Sequence, residues 1–507
     1  MPTIERIGVR IASDDLPPHD PLDLYTRLRG FHRQEEVFLF ESVEGSGRDR
    51  RSAVVGVGRL AEIRMYDGHV DIDGAPAVVR ALVLAGEQAG LVAEGTAPAP
   101  GVRRLRITDA DRFWELPARA QRLFAVDTDV PVTSYAFGFL TSLAYESVWH
   151  MESLPERTKA PHGPDVTLTL FRDTVWYDLV RGTVRLLRAE SDAFTERTAP
   201  AETIAAAALE AAGNTADGPA PDVPGAPAPL SVHDSVDRET FLEWADRCLE
   251  HIRVGDIYQI QIGHRIDVRT ELTPPDVYRR LRGRNPSPYL YLMPRAGGML
   301  IGASPELFFR IEGGELVMRP IAGTAPRGPD EEENARRVKE MRESVKERAE
   351  HIMLVDLCRN DIGRVCRPGT LPVDRLMAVE GYSHVFHLVS TVSGRLEEGV
   401  DTWQAVRATF PAGTMTGAPK VRAMEIIDSL ERERRGSYAG AVGLVDVRGW
   451  SELALCIRTI EYDGTTYSTQ SSAGLVAQSE PEAEWRETLA KMGAAYWALT
   501  GEELLPC

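Results

Sequence analysis

The stretch "LFFRIEGGELVM", Leu307–Met318, decides the fold class. Two runs rich in large apolar residues flank Glu-Gly-Gly, and glycine readily takes the positive φ angles that a tight turn between antiparallel strands requires. A second pair of runs surrounds "DGTT" at 463–466 in the same manner. Antiparallel hairpins interspersed with helices favour an α+β layered fold over a doubly wound parallel sheet.

The periodicity of apolar residues predicts the other elements of the chain. Alternating stretches predict strands at 166–171, 183–188, 257–268, 298–303, 307–320, 384–394, 438–447 and 453–462. Helical spacing predicts helices at 201–212, 331–359, 419–434 and 481–500, and one more that Ser235 caps and Gly255 ends.

A break in composition divides the chain. The segment "AGNTADGPAPDVPGAPAPL", 212–230, is rich in Pro, Ala and Gly and holds too few large apolar residues to bury a core. We therefore predict an exposed linker or surface loop at 212–230. It separates an N-terminal α+β region, 1–211, from a C-terminal domain, 231–507.

Composition and charge narrow the class of partner. The chain has 507 residues and a formal net charge of −18, which argues against nucleic acid because such binding depends on basic clusters. The five cysteines form no CxxC pair, so neither a disulfide framework nor a zinc site is indicated. No apolar run reaches membrane-spanning length, and the charged start is unlike a signal peptide. We predict a cytoplasmic protein without a membrane partner.

Two Glu-x-x-Glu pairs could hold a hard cation. Glu347 and Glu350 share one face of a predicted helix, and Glu484 and Glu487 repeat the spacing near the C-terminus, with Lys491 four residues further on. Mg²⁺ prefers oxygen ligands and keeps some positions for water or substrate oxygens. The alternative is a solvated helix face with an ordinary Glu487–Lys491 pair.

Three further side chains are candidates for acid, base or anion chemistry. Glu306 follows a Ser-Pro turn beside apolar residues, which would raise its pKa and suit an acid near neutral pH. Arg458 lies in a predicted apolar strand and needs an anionic partner, either a substrate carboxylate or an internal glutamate. His387 is flanked by apolar residues, as expected of a buried histidine or of a proton carrier.

The order of several motifs resembles the chorismate-utilising enzymes, most closely anthranilate synthase component I and the 2-amino-2-deoxyisochorismate (ADIC) synthases. The resemblance is strong over 235–500. It rests on these stretches: "GDIYQIQIGHR", "NPSPYLYLM", "GASPELFFR", "PIAGTAPRG", "KERAEHIMLVDLCRNDIGRV", "YSHVFHLVSTVSG", "FPAGTMTGAPKVRAMEII", "RGSYAGAVG", "IRT" and "EWRETLAKMGA". It implies a large α+β fold in which antiparallel sheets from both halves pack together with helices outside.

The resemblance also implies a role for individual residues. The Mg²⁺ ligands would be Glu350 and Glu487, supported by Glu347 and Glu484. The dianion chorismate would be held by Arg458, Lys491, Tyr438 and the backbone around Thr414 and Gly474, with Ser472 standing where the family has a glycine. Glu306 would protonate the departing 4-hydroxyl, and His387 would lie near that hydroxyl and the side chain that some members eliminate.

The identity of the attacking nucleophile follows from two missing amines. Isochorismate-forming members have a lysine where this chain resembles them at Gln259, and aminodeoxychorismate synthases have a lysine at the place of Ala322, with Thr324 in the same loop. Without either amine, neither activation of water nor attack by the chain is available. Ammonia needs neither, so the resemblance implies amination of chorismate at carbon 2.

The resemblance implies a separate glutamine amidotransferase as the ammonia source, since no cysteine here sits in a G-x-C-x-G setting. A homo- or hetero-oligomer is compatible with the sequence. We expect ADIC to lose pyruvate and give anthranilate. The alternatives are an ADIC synthase that stops earlier, for phenazine- or enediyne-type metabolism, and an inactive paralogue that binds chorismate or tryptophan. A tryptophan-type inhibitor site would comprise Glu41, Ser42, Asn285, Pro286, Ser287 and Tyr289, with packing at a domain junction as the alternative.

Overall fold

The computed structural model describes residues 5–45, 47–95, 98–161, 163–197, 199–200, 202–213, 223–382 and 385–505. The strands of the N-terminal half are β1 (Ile7–Leu16), β2 (Val37–Glu41), β3 (Ser52–Met65), β4 (His69–Gly74), β5 (Val92–Ala93), β6 (Arg103–Arg106), β7 (Phe124–Asp127), β8 (Gly138–Leu143), β9 (Val166–Asp178) and β10 (Thr183–Glu190). Its helices are α1 (Pro21–Leu28), α2 (Pro76–Gln88), α3 (Glu115–Arg122) and α4 (Glu202–Gly213).

The C-terminal half contains the larger share of strands. These are β11 (Ser231–Asp234), β12 (Gln259–Arg269), β13 (Tyr289–Arg295), β14 (Gly298–Ser304), β15 (Leu307–Glu312), β16 (Glu315–Met318), β17 (Ile321–Pro326), β18 (Val373–Gly381), β19 (Val385–Arg395), β20 (Gly417–Ala418), β21 (Ala441–Asp446), β22 (Ser451–Leu455), β23 (Thr459–Tyr462) and β24 (Tyr467–Leu475). Its helices are α5 (Arg238–Arg253), α6 (Pro274–Arg284), α7 (Glu331–Glu343), α8 (Val345–Gly363), α9 (Thr402–Thr409), α10 (Lys420–Leu430) and α11 (Pro481–Thr500).

The predicted antiparallel hairpins are confirmed. Strands β15 and β16 pair antiparallel across Gly313 and Gly314, whose φ angles are 59° and 78°. Strands β23 and β24 pair in the same way around 463–466. Among the described residues, the strand pairings are antiparallel except for β1 with β7, which supports the predicted α+β class.

The two halves of the chain share hydrogen-bonded strands. Strand β2 pairs with β13, and β8 pairs with β21, so backbone bonds join the region before 212 to the region after 230. Helix α4 runs to Gly213, and 223–230 contains neither helix nor strand. Part of the predicted linker, 214–222, lies outside the described residues. The division into two domains therefore stays a prediction.

Two predicted elements are interrupted. The helix expected at 331–359 is two helices, because Ser344 is extended and its hydroxyl accepts from the Glu347 backbone N–H at 3.3 Å, a new N-cap. The strand expected at 453–462 is broken between β22 and β23. Arg458 has a φ of 52° there, and its carbonyl accepts from the Ala303 N–H at 3.1 Å.

The other helix predictions differ mainly at their ends. Helix α11 matches the expected 481–500, with proline at its first position and Gly501 in the left-handed region after its last. Helix α10 ends at Leu430, four residues earlier than expected. Across the described ranges, none of the helices combines the length and the apolar character needed to cross a membrane.

Candidate active site

A cavity of about 370 Å³ lies in the C-terminal half. Strands β12, β17, β19 and β24 contribute its sheet side, helices α8 and α11 contribute acidic side chains, and the segments around 305–306, 414–415, 438 and 457–458 complete it. Every residue predicted to be catalytic, substrate-binding or metal-binding lines this cavity. They are Gln259, Glu306, Ala322, Thr324, Glu347, Glu350, His387, Thr414, Tyr438, Arg458, Ser472, Gly474, Glu484, Glu487 and Lys491.

Glu306 has a buried carboxyl group whose surroundings favour the protonated form. It follows β14, and only 8% of its surface is exposed. Burial raises the pKa of Glu306 to about 8, against the opposing effects of a hydrogen bond from the Thr414 hydroxyl and of the Lys491 charge. The Thr414 Oγ1 to Glu306 Oε1 distance is 3.2 Å. At neutral pH this group is mainly the neutral acid, so it can donate a proton into the cavity.

His387 is held in a neutral form in the same cavity as Glu306. Burial lowers its pKa to about 4, the bond to the Gly323 carbonyl opposes this, and the Arg458 charge adds to it. Its Nδ1 lies 3.3 Å from that carbonyl and 3.0 Å from Thr324 Oγ1. A neutral ring whose Nδ1 faces a carbonyl oxygen carries its proton there, which leaves Nε2 as a base.

Strand β17 brings Ala322 and Thr324 into the cavity through a bulge at Gly323. Ala322 pairs with Leu388 and Thr324 pairs with His387, with Gly323 unpaired between them at a φ of 78°. A Cβ at Gly323 would lie 3.0 Å from Leu388 Cδ1 and 3.2 Å from Glu347 Oε2. Glycine suits this position because the φ of 78° is one that other residues rarely adopt, and a Cβ would also be close to its neighbours.

Arg458 and Lys491 form the cationic wall of the cavity. One guanidinium nitrogen of Arg458 donates to the Lys491 carbonyl at 2.5 Å, and Lys491 Nζ donates to the Ser472 carbonyl at 2.9 Å. Lys491 also pairs with Glu487 at 2.6 Å. Burial lowers the pKa of Arg458, while the nearby Tyr438 and Glu487 favour its charge. A desolvated cation in an open cavity suits the carboxylate of an anionic ligand.

The four predicted metal ligands line the same cavity and come from two helices. Glu347 and Glu350 come from α8, and Glu484 and Glu487 come from α11. Within the part of the chain that the structure describes, no three His, Cys, Asp or Glu side chains are close enough to hold a metal by themselves. Carboxylate oxygens are the donors that Mg²⁺ prefers, and Mg²⁺ commonly uses one or two of them together with substrate oxygens. These donors are of the chemical type that Mg²⁺ binds, and a magnesium site at them stays a prediction.

A polar network covers the remaining side. Tyr438 Oη and Ser472 Oγ are 2.6 Å apart, and Ser472 Oγ donates to Gln261 Oε1 at 3.0 Å. A Cβ at Gly474 would lie 2.7 Å from Gln261 Nε2 and 3.3 Å from Gln259 Nε2, so a larger residue there would displace these two amides from their present positions. The sequence analysis missed Gln261, although two-residue alternation along β12 puts it on the same face as Gln259. Gln470 and Ser471 also line the cavity, although only Ser472 and Gly474 of the same stretch, "QSSAG", were predicted there.

The predicted inhibitor-site residues adjoin one another outside that cavity. Glu41 ends β2, and the Val43 N–H bonds to the Ser287 carbonyl at 3.2 Å. Asn285 and Ser287 donate to the Ala303 carbonyl, Pro286 lies between them, and Ser42 follows Glu41. Glu41 and Tyr289 line a cavity of about 40 Å³. The Glu41 carboxylate already accepts from Tyr278 at 2.5 Å and from Arg282 at 2.7 Å. An inhibitor role stays a prediction.

Comparison with known proteins identifies the family. Residues 79–496 match the family described as chorismate binding enzyme, and the chain belongs to it. The chain is 48% identical to a 2-amino-4-deoxychorismate synthase from Streptomyces globisporus over 98% of both chains. It is 38% identical to an anthranilate synthase component 1 from Streptomyces coelicolor, over 89% of this chain and 92% of that one.

A solved structure supports the same conclusion. The anthranilate synthase component I from Streptococcus pneumoniae superposes with a TM-score of 0.65 at 28% identity, over 88% of this chain and 92% of that one. The predicted relationship and the α+β fold are thus confirmed. The chain is an enzyme of the chorismate-utilising type, which argues against the alternative of an inactive paralogue.

Proposed function

We propose that this enzyme adds ammonia to carbon 2 of chorismate and releases ADIC. The nitrogen lone pair forms the bond to carbon 2, the two ring double bonds each shift by one position, and the carbon 4–oxygen bond breaks. Glu306 supplies a proton so that the oxygen leaves as water, and one proton of the added nitrogen restores Glu306. The balance is chorismate plus ammonia giving ADIC plus water.

The observation that carries this proposal is an acid in a cavity without a free amine. Glu306 is protonated near neutral pH because it is buried. Among the described side chains, Lys491 is the one lysine that lines the cavity, and Ser472 and Glu487 hold its ammonium group. The positions of Ala322 and Gln259 offer an apolar methyl and an amide. A small neutral base that diffuses in is the nucleophile these surroundings suit.

The name of one relative favours release at this stage. An amine at carbon 2, no oxygen at carbon 4 and an intact enolpyruvyl ether describe 2-amino-4-deoxychorismate and ADIC alike, so the two names denote one compound. The relative with that name is similar to this chain over nearly its whole length. The sequence favoured loss of pyruvate from ADIC to give anthranilate. The neutral His387 in the same cavity is the observation that keeps this second product as an alternative.

Ammonia would come from a separate glutamine amidotransferase. The described cysteines are Cys248, Cys358, Cys366 and Cys456, and all are buried. Burial raises the thiol pKa of each, to about 12 for Cys248 and about 11 for Cys366. A glutaminase needs an accessible cysteine with a lowered pKa. The names of relatives as a first component support a second subunit.

Mg²⁺ would be held by Glu350 and Glu487, supported by Glu347 and Glu484. When bound, it would neutralise charge on a substrate carboxylate. This chain's own contribution is to hold the other carboxylate with Arg458 and Lys491 and to keep Glu306 protonated.

Product analysis tests the proposal directly. Purified enzyme is incubated with chorismate, Mg²⁺ and ammonium at pH 8, and products are separated by chromatography and identified by mass. We expect ADIC, with no glutamine-dependent product in the absence of a second protein. Anthranilate as the final product would replace the proposal by its alternative, and isochorismate would overturn amination itself.

A further inference from the structure

We propose that His264 is a positioning residue that fixes the cavity-facing side of helix α11. This inference rests on the proposed function only in that α11 carries Glu484, Glu487 and Lys491. His264 itself does not line the cavity. It lies in β12, five residues after Gln259, and only 2% of its surface is exposed.

Both ring nitrogens of His264 have polar partners. Nδ1 lies 2.7 Å from Asp234 Oδ1 on the neighbouring strand β11, and Nε2 lies 2.9 Å from Thr488 Oγ1 on α11. The Thr488 hydroxyl also donates to the Trp485 carbonyl at 2.7 Å. His264 therefore links Asp234 of β11 to Thr488 of α11, and the Thr488 hydroxyl links the ring to the Trp485 carbonyl.

Packing restricts the same helix turn from the side. The Trp485 ring stacks on the His264 ring, with centroids 4.5 Å apart and planes 21° from parallel. Ser471 Oγ donates to the Thr488 carbonyl at 2.8 Å from strand β24. His264 and Ser471 are paired residues of the adjacent strands β12 and β24. Both strands therefore make a hydrogen bond to Thr488 of α11.

Thr488 lies close in sequence to the three side chains of α11 that line the cavity. It lies four residues after Glu484, one after Glu487 and three before Lys491, so it shares a helix face with Glu484 and Lys491. A rotation or shift of α11 by a fraction of a turn would move all three cavity side chains together. Displacements of about 1 Å can reduce a rate on the order of a hundredfold.

Two substitutions separate the partners of His264. His264→Gln can place an amide nitrogen where Nε2 reaches Thr488, whereas His264→Asn keeps only the reach to Asp234. The first readout is Mg²⁺-dependent binding of chorismate by calorimetry, without ammonia and therefore without turnover. The second is amide hydrogen exchange of 484–491. Both use the full chain.

We expect His264→Asn to weaken Mg²⁺-dependent chorismate binding about tenfold to a hundredfold, as loss of an orienting partner does, and to speed exchange in α11. His264→Gln should restore most of both. In a Thr488→Val background, His264→Asn should add little further effect. The matched control is His19→Gln, because His19 is also buried and bonded at both nitrogens, to Pro17 and Tyr177, in the N-terminal half.

Any of three results would overturn the positioning role of His264. The first is unchanged chorismate binding and amide exchange in a folded His264→Asn protein. The others are a loss of binding in His264→Gln equal to that in His264→Asn, or an equal loss in the His19→Gln control. A wrong product assignment would leave these results unaffected, because neither readout involves product. Failure of the proposed function and failure of this inference are thus distinguishable.

Discussion

The Thr414 hydroxyl donates a hydrogen bond to Oε1 of Glu306 across 3.2 Å, inside a cavity that otherwise disfavours the carboxylate. Burial raises the pKa of Glu306 and this bond lowers it, since the donor stabilises the charged form. Burial therefore raises the pKa of Glu306 against the Thr414 hydrogen bond and the Lys491 charge, and a substitution at Thr414 removes the first of these two opposing effects.

The first prediction concerns the pH dependence of amination. With a Glu306 pKa of about 8, the proton donor is present below pH 8 and is lost as pH rises through that value. We expect kcat/KM for chorismate to fall above about pH 8, because this parameter reports the ionisation of the free enzyme. Thr414→Val should move that fall to higher pH, because the pKa of Glu306 rises further when the hydrogen bond is lost. The measurement is kcat/KM for chorismate against pH at saturating ammonia, with ammonia concentration corrected for its own titration.

Glu306→Gln is the companion variant. Its amide keeps the shape but has no acidic proton, so we expect kcat to fall roughly a hundredfold to ten-thousandfold while chorismate still binds. If the activity of Glu306→Gln still falls above about pH 8, another group is the acid.

The second prediction concerns the missing amine in β17. Ala322→Lys should place a primary amine in the cavity opposite Leu388. We expect that amine to attack carbon 2, giving an enzyme–substrate adduct visible in the intact-protein mass after incubation with chorismate. Ala322→Met is the control, because it has similar length and no nucleophilic nitrogen. An adduct in neither variant, with chorismate binding retained, would mean that position 322 does not face carbon 2.

Local signals explain why much of the fold could be predicted. Gly313 and Gly314 supply the two positive φ angles of the β15–β16 turn, and Pro481 and Gly501 mark the ends of α11. The breaks at Ser344 and Arg458 were missed. The periodicity of apolar residues indicates only which face of an element is buried. The break at Arg458 coincides with a hydrogen bond to Ala303, more than a hundred residues away, which no local pattern indicates.

The site shows the same contrast. The family motifs predicted one common site for the catalytic, substrate-binding and metal-binding candidates. All of these candidates line the cavity. Gln261 could have been predicted from the two-residue alternation along β12 alone. The His264–Thr488 contact joins residues 224 apart in sequence, and nothing local to either residue signals it.

The third prediction concerns the metal. Glu487→Gln should raise the Mg²⁺ concentration needed for half-maximal activity at least about tenfold, because a ligand oxygen loses its charge. Glu482→Gln on the same helix is the matched control, since Glu482 pairs with Arg238 and does not line the cavity. The measurement is activity against free Mg²⁺ after treatment with a chelator. Equal Mg²⁺ requirements in both variants would remove Glu487 from the ligand set.

The last prediction concerns the buried pair beneath the site. Arg435 pairs with Glu431 at 2.7 Å and also donates to the carbonyls of Met415 and Gln261, each at 2.8 Å. Burial opposes the charge of Arg435, but Glu431 outweighs it and raises the Arg435 pKa. Arg435→Met leaves the Glu431 carboxylate buried and the two carbonyls without their donor. We expect roughly 3–5 kcal/mol of destabilisation, measured as a lower urea midpoint by tryptophan fluorescence.

A double substitution separates lost attraction from a stranded charge in the same pair. Glu431→Gln combined with Arg435→Met removes both charges, so the protein should recover part of the stability lost in Arg435→Met alone. The Glu431 carboxylate also accepts from the Gly263 N–H at 3.1 Å, and the amide oxygen that Glu431→Gln introduces can keep that bond in the double variant. A double variant less stable than Arg435→Met would contradict the buried, unpaired Glu431 charge as the main cause of the loss.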